Sequence, residues 1–124
     1  MKILIYGQQH ERSQIQNSIL SLPIFIDHAP EFCGRSQFDD FYIQLVDYRP
    51  DLIIVAIDGA EGMEGVRRSK RVLPDVPVFW FSNDRNFATE AYRLDCAYFS
   101  SKPVMSEKYQ RAFARIGIGG GGPV

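Results

Sequence analysis

The sequence contains only two cysteines, Cys33 and Cys96, and their spacing matches neither a metal-binding motif nor a disulfide framework. Long hydrophobic runs are also missing, since the longest uninterrupted one covers residues 52–57, so we expect neither a membrane-spanning helix nor a secretion signal. Neither sign of charge is in excess, because 14 basic residues nearly balance 15 acidic ones, and the net charge of −1 does not favour nucleic acid as a partner. These absences predict a cytoplasmic protein without a metal centre or a membrane partner.

The residues that are present indicate a single α/β domain. With 124 residues, of which 45% are hydrophobic, the chain is long enough to form one core. Its apolar residues occur in short runs that are each followed by a polar or helical stretch, which predicts five βα units. The predicted strands lie at residues 3–6, 24–26, 52–57, 76–81 and 97–99. The third and fourth runs are continuously apolar, as expected for parallel strands that helices cover on both faces.

The stretches between these runs carry helical patterns. The strongest is an apolar stripe with the spacing of one helix face, which ends at Pro50. Its members are Phe38, Phe41, Tyr42, Leu45 and Val46. The other helices are expected around residues 15–22, within residues 60–73, after an N-cap at Asn83 or Asp84, and after an N-cap at Ser106. Residues 1–116 form the predicted domain, and the glycine-rich residues 117–124 are interpreted as a flexible tail, a linker stub or a cloning scar.

Two stretches of the chain resemble a known family. Residues 76–82, Val-Pro-Val-Phe-Trp-Phe-Ser, are followed at the family's spacing by residues 87–92, Phe-Ala-Thr-Glu-Ala-Tyr, and by Ser-Lys-Pro at residues 101–103. The second, less specific stretch covers residues 48–54. The chain resembles the response-regulator receiver domain, the CheY-like module of two-component signal transduction, and is most similar to the receivers of LytTR-type regulators. The resemblance implies a flavodoxin-like, doubly wound sheet of five parallel strands in the order 2-1-3-4-5, with helices on both faces.

The resemblance also implies a phosphorylation pocket at the carboxyl ends of the strands. In the family, a carboxylate pair after strand one binds Mg²⁺, and an aspartate after strand three accepts the phosphoryl group. The matching positions in this chain hold Gly7, Gln8 and Ala56, none of which is charged. Because Mg²⁺ offsets the negative charge that develops during phosphoryl transfer, we expect no Mg²⁺, no other cofactor and no phosphorylation at Ala56.

Other parts of the family's pocket are present. Ser82 matches the hydroxyl residue of strand four and Lys102 matches the lysine of strand five, both of which contact the phosphoryl group in the family. Pro103 matches the proline that follows this lysine, and the resemblance implies a cis bond between the two residues. Phe99 matches the aromatic switch position. The resemblance therefore implies a vestigial pocket that keeps the phosphoryl-sensing groups without the acceptor.

Asp58, two residues after Ala56, leaves three interpretations open. It is a phosphoryl acceptor if strand three continues and points it to the same side as Ala56. It is otherwise a cap of the third helix, or a partner of Lys102. The vacated pocket also permits a different function, in which its uncharged floor and one cation hold a small anion. The residues of such a sensor are Gly7, Gln8, Ala56, Ser82 and Lys102.

The favoured function is a non-catalytic, phosphorylation-independent regulatory and interaction domain rather than an enzyme. Its expected partner is another protein or a second copy of the chain, and an output domain for transcription regulation is not contained in this sequence. The predicted interaction surface lies on helix four, strand five and helix five, where opposite charges set the register of a dimer. The charged residues of this surface are Arg85, Glu90, Arg93, Asp95, Glu107, Lys108, Arg111 and Arg115.

Overall fold

Five strands alternate with five helices along residues 1–118, the part of the chain that the computed structural model describes. The strands are β1 (Lys2–Tyr6), β2 (Glu31–Arg35), β3 (Leu52–Val55), β4 (Val78–Ser82) and β5 (Tyr98–Ser101). The helices are α1 (Gln9–Leu20), α2 (Phe38–Asp47), α3 (Gly59–Val72), α4 (Ala88–Arg93) and α5 (Ser106–Arg115). Short 3₁₀ turns at Pro23–Phe25 and Arg85–Phe87 precede β2 and α4. Within residues 1–118, no helix has the length and apolar character needed to cross a membrane.

The strands form one parallel sheet in the order β2-β1-β3-β4-β5. Ile3 of β1 lies opposite Phe32 of β2 on one side and Leu52 of β3 on the other. Every residue of β3 and β4 is buried, because helices cover both faces of the sheet. The flavodoxin-like fold and the strand order predicted from the sequence are confirmed.

The second strand does not lie where the sequence pattern predicts it. Residues 24–26 form no strand; they fall in and directly after the 3₁₀ turn Pro23–Phe25. Phe25 is buried there and packs edge-on against Phe113, with ring centroids 5.1 Å apart. The strand is instead Glu31–Arg35, an edge strand that is mostly half-buried. Because an edge strand needs no continuous apolar run, the pattern that identifies β3 and β4 misses it.

The sheet divides the core into two clusters, which we call the α1–α5 side and the α2–α4 side. Successive strand residues alternate between them, so that Ile3 and Ile5 face the α1–α5 side, whereas Leu4 and Tyr6 face the α2–α4 side. The α1–α5 side also contains Ile15, Ile19, Ala56, Phe79, Phe81, Tyr109 and Phe113. The α2–α4 side also contains Phe41, Leu45, Val55, Val66, Trp80 and Ala91.

Helix α2 is less deeply buried than its apolar stripe predicts. Phe41 and Leu45 are fully buried, but 38% of Tyr42 and 52% of Val46 are exposed. Arg68 of α3 covers Tyr42 in part, with its guanidinium carbon 4.9 Å from the ring centroid. The stripe is therefore wider than the surface that the sheet can cover.

Helix α3 lies close to the sheet because two of its buried residues are glycine. A Cβ atom at Gly62 would overlap the carbonyl oxygen of Ile57, and one at Gly65 would lie 2.9 Å from the ring of Tyr6. Glycine lowers helix propensity, but here it permits an approach that a side chain would prevent. Packing against the sheet therefore stabilises the helix, although its glycines lower the helix propensity.

The ends of α5 differ slightly from the sequence-based expectation. Met105 is the N-cap and the predicted cap, Ser106, is the first helical residue. At the other end, Gly117 adopts a φ of 80°, and the amide of Ile118 donates to the carbonyl oxygen of Phe113 over 2.9 Å. The remaining residues of the predicted tail, 119–124, lie outside the described part of the chain.

Candidate functional site

The carboxyl ends of β1, β3, β4 and β5 lie along one edge of the sheet and bring the predicted pocket residues together. A Cβ atom on Gly7 would lie 3.4 Å from the Cβ atom of Ala56, so the ends of β1 and β3 are in contact. The ends of β4 and β5 are joined by the amide of Lys102, which donates to the carbonyl oxygen of Ser82 over 2.9 Å. Gln8 is exposed at the N-cap of α1.

Lys102 is held by three acceptors within the chain. Its ammonium group donates to the carbonyl oxygen of Ala56 over 2.7 Å, and it lies 2.5 Å from Glu11 Oε2 and 3.0 Å from Asp58 Oδ1. Only 16% of the Lys102 side chain is exposed, together with 22% of Glu11 and 40% of Asp58, so solvent screens the pair with Glu11 less than the pair with Asp58. A lysine ammonium can donate three hydrogen bonds; here it donates one to Ala56 and forms ion pairs with Glu11 and Asp58. The two carboxylates therefore offset the charge of Lys102 and oppose the approach of a phosphoryl group or another anion.

Asp58 pairs with Lys102, which is one of the three interpretations that the sequence leaves open. It occupies the N-cap position of α3, but its side chain makes no capping hydrogen bond, so the expectation of a cap is wrong for the carboxylate. The Oδ1 atom accepts instead from the amide of Asn83, 3.0 Å away, and forms an ion pair with Lys102. Because both donors lie toward β4 and β5, the carboxylate is drawn away from its own helix.

Glu11 is a site residue that the sequence does not indicate. It lies in the first turn of α1, where an acidic residue is unremarkable because it interacts favourably with the helix dipole. Its side chain is 22% exposed and reaches Lys102 from the α1–α5 side of the sheet. Together with Asp58 it places two carboxylates around one cation, so this group of three side chains carries a net negative charge.

An arginine occupies the end of β1, beside the positions that the resemblance assigns to a metal. Arg12 Nε donates to the carbonyl oxygen of Gly7 over 2.9 Å, and one of its terminal nitrogens donates to Ser36 Oγ over 3.2 Å. Gly7 and Gln8 supply no carboxylate, and the guanidinium adds a positive charge next to them. Within residues 1–118, no three His, Cys, Asp or Glu side chains converge as metal ligands. The residues present therefore do not fit Mg²⁺, which prefers carboxylate oxygens.

Ser82 is fully buried and completes the hydrogen bonding at the end of β4. Its hydroxyl oxygen accepts from the amide of Asp84 over 3.1 Å. Asp84 in turn caps the 3₁₀ turn before α4, since its Oδ1 atom accepts from the amide of Asn86 over 2.9 Å. The Lys102–Pro103 bond is cis, as the resemblance implies, and Pro103 is exposed.

Phe99, at the predicted switch position, lies on the α2–α4 side of the sheet. Its ring meets Trp80 edge-on, with centroids 5.6 Å apart, and Trp80 stacks on Phe87 at 5.1 Å. Phe99 itself is half-buried. The three rings form a row that connects β5 to the turn before α4.

The charged residues of the predicted interaction surface lie at the outside of the molecule. Glu90 and Lys108 are half-buried, and the others are exposed. Glu90 and Arg93 form an ion pair within α4, with 3.2 Å between the charged atoms. Arg115 lies over the ring of Tyr98, 5.9 Å from its centroid. Exposed ion pairs contribute at most about 1 kcal/mol each to stability, so the fold does not depend on the ion pairs of this surface.

Solved structures that share this fold include receiver domains and response regulators. The chain aligns over 93% of its length with 97% of the chemotaxis protein CheY4 from Vibrio cholerae, at 15% sequence identity and a TM-score of 0.73. It aligns over 91% of its length with 90% of the signal receiver domain of a modulated diguanylate cyclase from Desulfovibrio desulfuricans, at 20% identity and a TM-score of 0.70. A DNA-binding response regulator of the LuxR family from Staphylococcus aureus is similar over 93% of this chain and 97% of that chain, at 15% identity and a TM-score of 0.70.

Sequence comparison adds no closer relationship, since no protein-family model and no curated protein matches the chain. Identities of 20% or less establish the CheY-like fold alone. Because one fold supports many functions, the function has to be inferred from the side chains at the edge of the sheet.

Proposed function

We propose that this chain is an atypical receiver domain, a non-catalytic regulatory and protein-interaction module that works without phosphorylation. The observation that carries the proposal is the position of Lys102, whose ammonium group is held by Ala56, Glu11 and Asp58. In the resembled family this lysine contacts a phosphoryl group on an aspartate, and Ala56 stands at the position of that aspartate. The internal contacts give the lysine permanent partners in place of a transient one.

The charges of the pocket also oppose phosphorylation. A phosphoryl donor is negatively charged, and it would approach the carboxylates of Glu11 and Asp58. With no carboxylate at Gly7 or Gln8 to bind Mg²⁺, nothing offsets the charge that develops during transfer. The same contacts weigh against a small-anion sensor in this pocket, because Lys102 is already paired with the carboxylates of Glu11 and Asp58. The proposed module therefore has no cofactor and no enzymatic activity.

Treatment with a phosphodonor tests this proposal. The chain is incubated with acetyl phosphate and Mg²⁺ and its intact mass is measured, while a receiver that carries the acceptor aspartate serves as the positive control. We expect no gain in mass, and no change in the amide NMR spectrum when beryllofluoride is added. A gain of one phosphoryl group that is abolished by Asp58→Asn would instead identify Asp58 as a working acceptor.

We further propose that the surface of α4, β5 and α5 mediates association with a second copy of the chain. The exposed charges of both signs on this surface support the proposal, because opposite charges can pair across a two-fold axis and set the register. Arg93→Glu combined with Arg111→Glu should shift the dimer toward monomer in analytical ultracentrifugation. The control is Arg67→Glu with Arg71→Glu on α3, which changes the net charge equally. A native chain that stays monomeric at high concentration would contradict this proposal.

We infer that the module acts in the cytoplasm as the regulatory part of a transcription regulator with a LytTR-type output domain. The spacing of residues 76–82, 87–92 and 101–103 supports this inference. The similar Staphylococcus aureus protein is a DNA-binding response regulator, although of the LuxR family. The complete reading frame provides the test: we expect it to encode a DNA-binding domain, and a frame without one would contradict the inference.

A further inference from the structure

A cavity of about 420 Å³ lies between α1 and α5, next to Lys102 and on the α1–α5 side of the sheet. Its floor is apolar and is formed by Ile15, Ala56 and Phe81, all of which are buried. Cavities of about 300–1,000 Å³ with an apolar lining and a few polar groups are typical of small-molecule sites. Ala56 contributes only a methyl group at the position where the resembled family has a carboxylate. The size and lining of this cavity therefore suit a small organic ligand.

A few polar groups project into the same cavity. Tyr109, which is 3% exposed, and Ser18 of α1 both line it. Burial raises the pKa of Tyr109 to about 12, so this hydroxyl is neutral at ordinary pH. Glu11 and Lys102 lie in the lining as well. The cavity thus combines an apolar floor with neutral hydroxyl groups on one wall and a charged pair at the sheet edge.

The charged pair favours a cation over an anion. The ammonium group of Lys102 donates to Ala56 and is paired with Glu11 and Asp58, so two carboxylates within the chain already offset its charge. A carboxylate has about four lone-pair sites, and among residues 1–118 Glu11 has no donor besides Lys102. The Glu11 carboxylate is therefore a group in this lining with unused hydrogen-bonding capacity.

We propose that this cavity binds a small organic amine. The ammonium group of the ligand donates to Glu11, and its apolar body lies over Ile15, Ala56 and Phe81. This site is separate from the proposed dimer surface, so an experiment that contradicts one of the two proposals does not contradict the other. It also differs from the anion sensor considered from the sequence, because the ligand has the opposite charge and enters between α1 and α5.

Three probes of similar shape and different charge test the site. Benzylamine, benzyl alcohol and benzoate are titrated at millimolar concentrations into the ¹⁵N-labelled chain, and amide shifts are followed by NMR. We expect benzylamine to shift the amides around the cavity and to bind at least about tenfold more tightly than benzoate, which corresponds to one charge-assisted hydrogen bond. Equal or tighter binding of benzoate or benzyl alcohol would overturn the assignment of the ligand's charge. Absence of cavity shifts with all three probes would overturn the site.

Two pairs of variants separate the cavity from the surface. Ser18→Leu fills the cavity and should abolish the benzylamine shifts, whereas Ser13→Leu makes the same change at an exposed position of α1 outside the cavity. Glu11→Gln should weaken benzylamine and strengthen benzoate, because it removes a carboxylate and leaves the charge of Lys102 less offset. Glu61→Gln, on α3, is the control for loss of one negative charge. If both variants within a pair bind benzylamine alike, the ligand does not occupy this cavity.

Discussion

The two sides of the sheet differ in how tightly the helices cover them. On the α2–α4 side, Gly62 and Gly65 bring α3 so close that added Cβ atoms would strike Ile57 and Tyr6. On the α1–α5 side, a cavity of about 420 Å³ remains between α1 and α5. The difference shows that the two faces of one sheet need not be packed alike, and that the α1–α5 side leaves room beside the candidate site.

Lys102 lies where the two sides meet. Glu11 reaches it from α1, which covers the α1–α5 side, called the open side below because it contains the cavity. Asp58 reaches it from the start of α3, which covers the α2–α4 side, called the closed side below. Its contacts therefore depend on the positions of both helices. Substitutions on the closed side, at this junction and at the rim of the closed side should affect stability in that order.

Gly62→Ala should have the largest effect, because it acts directly on the closed side. The new methyl group would overlap the carbonyl oxygen of Ile57, a backbone atom that cannot rotate away. Overpacking of this kind costs roughly 3 kcal/mol, and alanine recovers up to about 1 kcal/mol of helix propensity. We expect the free energy of unfolding to fall by roughly 2–3 kcal/mol, measured by urea denaturation and circular dichroism.

Gly34→Ala is the matched control for this substitution. The nearest atoms to a Cβ atom at Gly34 belong to the side chain of Arg12, which can move aside if it gives up its hydrogen bonds to Gly7 and Ser36. We expect a loss of at most about 1 kcal/mol. If Gly62→Ala proved no more destabilising than Gly34→Ala, the two sides of the sheet would not differ in packing as described.

Lys102→Met should have the second largest effect, because it leaves Glu11 and Asp58 without their cation. The side chains of the three residues are between 16% and 40% exposed, so solvent lowers the cost of the uncompensated charges. We expect a loss of about 1–2 kcal/mol in the free energy of unfolding, again from urea denaturation. Lys108→Met, on the surface of α5, should change stability by less than about 0.5 kcal/mol.

A second substitution shows whether electrostatics is the cause. In the Lys102→Met background, Glu11→Gln should restore part of the lost stability, because it removes one of the two carboxylates. In the native background the same change should be destabilising, since it removes a partner of Lys102. Additive effects of the two substitutions would mean that Glu11 and Lys102 do not interact.

Cys96→Ala should have the smallest effect, visible only at alkaline pH. Burial raises the pKa of the Cys96 thiol from 9.0 to about 12, and its side chain packs on the closed side. Between these values the unfolded chain loses a proton that the folded chain keeps, so the free energy of unfolding falls as pH rises. At about pH 10, the free energy of unfolding of the alanine variant should therefore have fallen by about 1 kcal/mol less than that of the native chain.

Thermal unfolding at neutral and alkaline pH gives the measurement for Cys96→Ala, with Cys33→Ala as the control. A pH dependence that is the same in both variants and in the native chain would show that Cys96 is accessible to water. The closed side would then be less compact at its rim than at Gly62.

Much of the fold could be predicted from the sequence, because buried parallel strands have a recognisable composition. The continuous apolar runs at residues 52–57 and 76–81 mark β3 and β4 at the centre of the sheet. The edge strand β2 could not be found in this way, because pairing on one side only requires little apolar surface. The run at residues 24–26 was more apolar than β2, but it follows Pro23 and turns into the core through Phe25.

The sequence predicts those residues of the candidate site whose type and position at a strand end are informative by themselves. Ser82 is the last residue of β4 and Lys102 directly follows β5, so the parallel topology brings them to one edge of the sheet. Glu11 and Arg12 lie within α1, where an acidic and a basic residue are expected on any solvated helix. Only the packing of α1 against the sheet gives them partners, and a one-dimensional pattern does not contain that information.

The two bonds of Lys102 to neighbouring strands have a consequence for how the molecule opens. Its amide donates to Ser82 of β4 and its ammonium group donates to Ala56 at the end of β3, so one residue of the β5 end is tied to both neighbours. Local opening of any of the three strand ends must therefore break contacts of the other two. In native-state hydrogen exchange this edge should behave as one cooperative unit, with similar opening free energies for the amides of Ala56 and Lys102, rather than fray strand by strand.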